Sequence, residues 1–462
     1  MTDFAAMLLP DRGEPAHLLT PLTVEALDAW LAGQGEAART AVDAARFSAK
    51  PGELVILHGG DEPWRALVGV GSTGLAEPWA LAAAAAKLPG GAYRLDGGAP
   101  DLAAHGWLMA QHRFDRYRSE FAANVAPRIL LTADAAAIVP AVRMAEAAAL
   151  VRDLVDTPAN DMGPAELADA VREVALRHHA ELNIIVGEAL ATGFPAVHAV
   201  GRAAVRAPRV IDLHWGDPAH PRLTLVGKGV VFDSGGLNIK HGAGMALMKK
   251  DMGGAAHALA LAQLVMAENL PVRLRLIIPA VENAISGDAF RPGDVIATRA
   301  GLTVEIGNTD AEGRLILADA LTLAQEDAPD LLLDFATLTG AARVALGPDL
   351  PALFTHDDRL AAGLLDAGTA TYDPMWRLPL WVGYRDMLKS TIADVNNAGE
   401  GGFAGAITAA LFLDRFISVN CAWAHLDLYA WAPVAKPGRA KGGTDMTLRA
   451  CWLYLQKHYE RS

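Results

Sequence analysis

Asp310, Glu312 and Arg314 stand two residues apart in the stretch NTDAEGRL, residues 308–315. In an extended backbone the side chains at i, i+2 and i+4 share one face, so this spacing aims two carboxylates and a guanidinium at one place. Carboxylates so close raise each other's pKa unless a cation answers them, either a metal or a salt bridge. A second stretch, VGKGVVFDSGGLNIKHGAGMALMKKDMGGAA, residues 226–256, sets Lys228, Asp233, Lys240 and Asp251 among glycines. Glycine-rich backbone turns tightly and lets a ligand approach, as loop-built sites require. Brought together, Asp233, Asp251, Asp310 and Glu312 form a cluster of hard oxygen donors able to hold two divalent cations. Taken alone, NTDAEGRL also fits an exposed turn closed by an ion pair worth about 1 kcal/mol. The second stretch tips the reading toward chemistry.

Such a site needs elements that bring distant segments together. GLTVEIG alternates like a strand and RLILADALTLAQED reads as a helix, which places NTDAEGRL at a strand's C-terminal end, where ligands of α/β folds gather. Before residue 150, short β-like runs (ELVILHGG, RALVGVG, RILLTAD) mix with alanine-rich helical stretches such as EPWALAAAAAKL. A long helical stretch, AAAIVPAVRMAEAAALVRDLVD, then leads into TPANDMGPAELADAVREVAL, whose Pro and Gly break the helix before another begins. From 180 onward apolar strands (LNIIVG, RLTLVGKGVVFD, RLRLIIPAVE, PDLLLDFATLTGA) alternate with amphipathic helices, among them GGAAHALALAQLVMAEN. The pattern predicts an α/β protein of two domains: a smaller one over 1–150, and a larger one over 151–462 with a central mixed sheet flanked by helices.

Composition narrows the function. With 462 residues the chain exceeds one typical core. No run approaches the roughly 18 consecutive apolar residues of a membrane helix, and the opening MTDFAAMLLPDRGEP lacks a secretory pattern. The reading is therefore a soluble, non-membrane chain. A net charge of -13 weighs against nucleic acid as a partner. Two cysteines, Cys421 and Cys451, argue against a disulfide framework or a thiolate zinc site and fit the cytoplasm. GVGSTG, residues 69–74, matches a dinucleotide-loop pattern, but a proline follows where its helix should run. Neither an H-E-x-x-H zinc helix nor a G-x-S-x-G elbow occurs. His425, in WAHLD, reads as a structural histidine.

Through NTDAEGRL, VGKGVVFDSGG, KKDMGGAA, SGDAFRPGDV and DFATLTGA, the chain resembles the leucyl aminopeptidases, also called cytosol aminopeptidases. The resemblance runs from about Arg152, in VRDLVDTPAND, through ADVNNAG and GAITAALFL to WAHLD, and is weak over the first 150 residues, which it implies are a non-catalytic, macro-like domain. It implies a dimetal aminopeptidase that releases unblocked, leucine-like N-terminal residues from peptides by attack of a metal-bound water. Lys228, Asp233, Asp251 and Glu312 would hold a tight ion; Asp233, Asp310 and Glu312 would hold a more exchangeable one, manganese or zinc in each case. Lys240 would act as electrophile and Arg314 would orient an anion, bicarbonate in this family, that relays a proton. Thr337 and Leu338 would meet the substrate backbone, and Met248 would line the pocket for its first side chain. The resemblance further implies a homohexamer of two face-to-face trimers with catalytic domains inside. A dipeptidase or cysteinylglycinase with the same site, or a DNA-binding relative on this scaffold, are the alternatives.

Overall fold

The computed structural model describes residues 2–59, 62–119, 126–399 and 401–459; Met1 and the last glycine of ELVILHGG fall outside them. The chain divides into two compact units, residues 1–149 with 434–441, and residues 150–433 with 442–462. The division falls within the helix Ile138–Asp156. A continuous 151–462 domain did not anticipate that Val434–Lys441 groups with the first unit. There the Arg439 guanidinium lies 4.9 Å from the centre of the Trp79 ring, a contact that no local pattern announces.

In the first unit, strands β1 (Leu8–Pro10), β2 (His17–Leu22), β3 (Leu54–Gly59), β4 (Glu62–Gly69), β5 (Gly91–Leu95) and β6 (Arg128–Thr132) form one sheet in the order β1-β6-β5-β2-β4-β3. Neighbours run parallel except β3, which closes the edge antiparallel to β4. Leu19, Leu67, Tyr93 and Leu130 are fully buried in it. The glycine-rich 69–74 stretch leaves β4 through a turn and one 3-10 turn, Gly74–Ala76, and the next α-helix begins only at Ala82. No helix N-terminus is offered to a phosphate there.

The second unit is built on strands β7 (Glu181–Ile185), β8 (Arg209–Trp215), β9 (Arg222–Gly227), β10 (Gly229–Asp233), β11 (Arg273–Asn283), β14 (Leu331–Ala336), β15 (Ala352–Phe354), β16 (Trp376–Arg377) and β18 (Trp423–Asp427). They make a mixed sheet ordered β16-β15-β18-β14-β9-β11-β8-β7, with β10 also paired to β11. A small sheet of β12 (Val295–Ala297), β13 (Thr303–Glu305) and β17 (Val395–Asn396) carries the GLTVEIG segment. All six residues of β14 are buried, as a central parallel strand covered on both faces requires.

Two local expectations change. RLTLVGKGVVFD is not one strand but two, broken at Lys228, whose N–H donates to Phe335 O at 2.9 Å and whose carbonyl accepts from Ala255 N at 2.8 Å. Gly227 allows this crossing, since a Cβ there would lie 2.5 Å from Ala255 Cα. The helix Gly253–Ala267 is not amphipathic: residues 253–266 are all buried, because it contacts β9 and β14 and also the helix Leu448–Tyr459. A helix apolar all round belongs in such a sandwiched position.

Candidate metal and catalytic site

A cavity of about 780 Å³ in the second unit gathers every residue singled out for chemistry: Lys228, Asp233, Lys240, Met248, Asp251, Asp310, Glu312, Arg314, Thr337 and Leu338. Most arrive from the ends of elements, with Lys240 on the loop after β10 and Asp310 in a turn. Lys228 sits in the β9–β10 break, Asp233 ends β10, Thr337 and Leu338 follow β14, and Met248 and Asp251 belong to the 3-10 helix Met248–Met252. The site thus lies beyond strand C-termini.

NTDAEGRL is not extended. Asp310 lies in a turn closed by its own N–H donating to Asn308 Oδ1 at 2.8 Å, and Glu312 opens the helix Glu312–Glu326, with Arg314 in its first turn. The shared face of an extended strand is replaced by a turn entering a helix, which still delivers all three side chains to the cavity. Gly313 permits the close seating of that helix, since a Cβ there would meet Lys228 Cε at 2.5 Å.

One ligand atom each from Asp233, Asp310 and Glu312 lies within 4.8 Å of the others. Asp251 joins them through Lys228, whose Nζ is 2.7 Å from Asp251 and 3.0 Å from Glu312. Lys240 bridges the other side, 2.7 Å from Asp233 and 2.5 Å from Asp310. The question of metal or salt bridge is thus answered within the chain by two lysines, yet incompletely. Glu312 Oε2 is buried with no hydrogen-bond partner among the described residues. Burial first, then the Asp233 charge, pushes Glu312 up to about 8 and Asp310 up to about 6. Burial works against Lys228 and Lys240, but Asp251 and Asp233 respectively lead the carboxylates that hold each ammonium above its ordinary value. Burial lowers Arg314 to about 10 and Lys250, a further lysine of the cavity, to about 8. Concentrated carboxylate with a spare buried oxygen fits divalent cations, whose charge would reverse these shifts.

A set of hydrogen-bond partners holds the site residues in place. Asn283 Nδ2 donates to Asp233 Oδ1 at 2.8 Å and Thr337 Oγ1 to Asp251 Oδ1 at 2.8 Å. Thr337 O accepts from Lys228 Nζ at 3.1 Å, and Asn397 O accepts from Arg314 at 2.7 Å. Leu338 N donates to Asp427 at 3.0 Å. Asn397 lies in the ADVNNAG motif, and Thr337 and Leu338 lie in DFATLTGA, but neither motif announces these particular contacts. His425 does not line the cavity: its Nδ1 donates to Asp334 at 2.5 Å, and although burial opposes its charge, Asp334 raises it above its ordinary value.

Comparison with known proteins agrees in sequence and shape. The sequence pattern of the cytosol aminopeptidase family's catalytic domain matches residues 149–452, and that of the M17 aminopeptidase N-terminal domain matches residues 18–130. A protein of Syntrophotalea carbinolica named "Probable cytosol aminopeptidase" is 44% identical over 361 residues, 74% of this chain and 72% of the relative. The crystal structure of a cytosol aminopeptidase from Coxiella burnetii superposes with a TM-score of 0.93 at 46% identity, covering 98% of this chain and 99% of that one. The bottromycin maturation enzyme BotP, in complex with Mn, superposes at 0.87 with 34% identity, covering 96% and 100%. Among the described residues no helix is long and apolar enough to cross a membrane. The chain belongs to the cytosol aminopeptidase family and is a metal-dependent aminopeptidase, a hydrolase of peptide bonds.

Proposed function

We propose that the chain releases unblocked N-terminal residues, leucine-like ones preferred, by attack of water on the first peptide bond with the help of two divalent cations, manganese or zinc. The observation that carries the reading is the convergence of Asp233, Asp310 and Glu312, the first and last of them buried, with a Glu312 oxygen that has no hydrogen-bond partner among the described residues. Lys228, Asp233, Asp251 and Glu312 would hold one ion, and Asp233, Asp310 and Glu312 a second, more exchangeable one. Bound there, such ions supply Lewis acidity for water and carbonyl and an acceptor for the substrate's α-amine. Lys228 serves as a ligand only as a neutral amine, so its proton must leave on metal binding. Lys240 keeps its proton and donates to the negative charge that develops on the substrate carbonyl. Arg314 orients an anion, bicarbonate, that relays a proton. Thr337 and Leu338 meet the substrate backbone, and Met248 packs against its first side chain. The manganese in the BotP complex supports that choice of metal. A cytoplasmic homohexamer with a non-catalytic first unit completes the reading.

Two measurements test it. Dialysis against chelator and re-addition of manganese should restore activity together with two ions per chain. At pH 8.5 leucyl-glycine should be cut and its N-acetyl form refused, because amide resonance removes the amine lone pair. Comparable turnover of the two would sink the amine-binding role of the ions.

A further inference from the structure

Lys250 carries a charge that this reaction does not use. It belongs to the 3-10 helix Met248–Met252, is 5% exposed, and lines the same cavity as Asp233 and Glu312. Among the described residues its Nζ forms no hydrogen bond or ion pair, and its neighbour is the Tyr429 ring, 4.9 Å from Nζ to the centroid. Arg343 lines the cavity too, with its guanidinium carbon 4.9 Å from the same ring. The carboxylates whose charge reaches Lys250, Asp251 and Asp427, are hydrogen-bonded elsewhere. Asp251 faces Lys228 and Thr337, and Asp427 accepts from the Leu338 and Thr339 N–H groups and the Thr339 hydroxyl. A desolvated ammonium without an anion is costly, and a tyrosine face offsets only part of that. Among the described residues no carboxylate is hydrogen-bonded to either of these two cations, which share one aromatic ring and open onto a substrate cavity.

We propose that Lys250 and Arg343, set against Tyr429, form a carboxylate-reading subsite of the peptide cavity. The inference rests on the reading that this cavity binds the N-terminal end of a peptide, and it adds a charged preference to the leucine-like one. Glutamate offers the required shape, with methylenes to pack beside Met248 and a carboxylate at the tip. A dipeptide offers the same chemistry through its C-terminal carboxylate.

The test uses the full-length, manganese-loaded enzyme at pH 7 and two pairs of substrates that differ only in charge. Glutamyl- and glutaminyl-p-nitroanilide ask about the first side chain; leucyl-glycine and leucyl-glycinamide ask about the C-terminus. The wild type should favour the charged member of one pair in kcat/KM, roughly tenfold or more, the size of one charge-assisted hydrogen bond. The pair that responds identifies the source. Lys250→Met should collapse that ratio toward one, Arg343→Gln should reduce it, and Lys250→Arg should retain it. Wild-type ratios near one in both pairs overturn the subsite without recourse to any variant. An equal loss on both members of a pair in Lys250→Met also overturns it. No turnover of any of the four substrates marks failure of the underlying aminopeptidase reading, whereas turnover without charge preference condemns the subsite alone.

Discussion

Glu312 is under marked electrostatic tension: one oxygen is 3.0 Å from Lys228, the other has no hydrogen-bond partner among the described residues, and the residue is 1% exposed. If it bridges two ions, Glu312→Ala should abolish activity and lower bound metal while circular dichroism stays that of the folded chain. A variant that binds two ions and still turns over would remove Glu312 from the ligand set. Lys240→Ala should instead leave both ions in place and lower kcat by on the order of 10² to 10³, the cost of losing one preorganised donor; metal loss there would make Lys240 a ligand. Chemistry-bearing residues were legible because their types and repeats are unusual. Asn283, which orients Asp233, was not, since an asparagine at a strand end has no distinguishing chemistry until the fold sets it 2.8 Å from a carboxylate.

Elements deliver these residues, and the helix Glu312–Glu326 does so through a second carboxylate further along. Asp319 is wholly buried and accepts from Ala196 N at 2.8 Å, Val197 N at 3.2 Å and Arg299 N at 2.7 Å. It thereby ties the first turn of the helix Pro195–Gly201 to the helix that carries Glu312 and Arg314. Asp319→Ala leaves three N–H groups without an acceptor and should cost about 3 kcal/mol or more in urea unfolding. The pH dependence follows from burial, which outweighs those N–H bonds and raises Asp319 from 3.8 to about 6. With the folded pKa above the unfolded one, the folded state binds the extra proton, so stability falls as pH rises from about 4 to about 6. The advantage of wild type over Asp319→Asn should therefore grow on acidification across that window. If it shrinks, the N–H groups dominate and hold the carboxylate ionised. Strand and helix rhythm was legible here, but the turn before Glu312 was not. Alternation in GLTVEIG continued on paper into NTDAEGRL, whereas the Asn308 side chain caps a turn and ends the extended run.

At the scale of the molecule, large apolar side chains remain uncovered in the second unit. Between positions 376 and 392, Trp376 and Trp381 are each 60% exposed, Val382 57% and Ile392 61%, and Phe403 beyond them is 85% exposed. Single exposed apolar residues are ordinary, but tryptophans at this density within one segment are typical of surfaces buried on association. Composition could not locate that surface; a hydrophobic half of the sequence says nothing about which residues lie inside. Once Trp376 in strand β16 and the loop and 3-10 helix (Val382–Leu388) after it are seen to expose these side chains, the stretch becomes the expected place for contact between copies. Sedimentation at micromolar concentration should give the hexamer proposed above. Trp376→Glu with Trp381→Glu, which place charge where a dry contact would form, should shift the protein toward smaller species without lowering its monomer content of helix. A wild-type chain that sediments as an active monomer would rule out assembly through this face, and the two tryptophans would then need another partner to cover them.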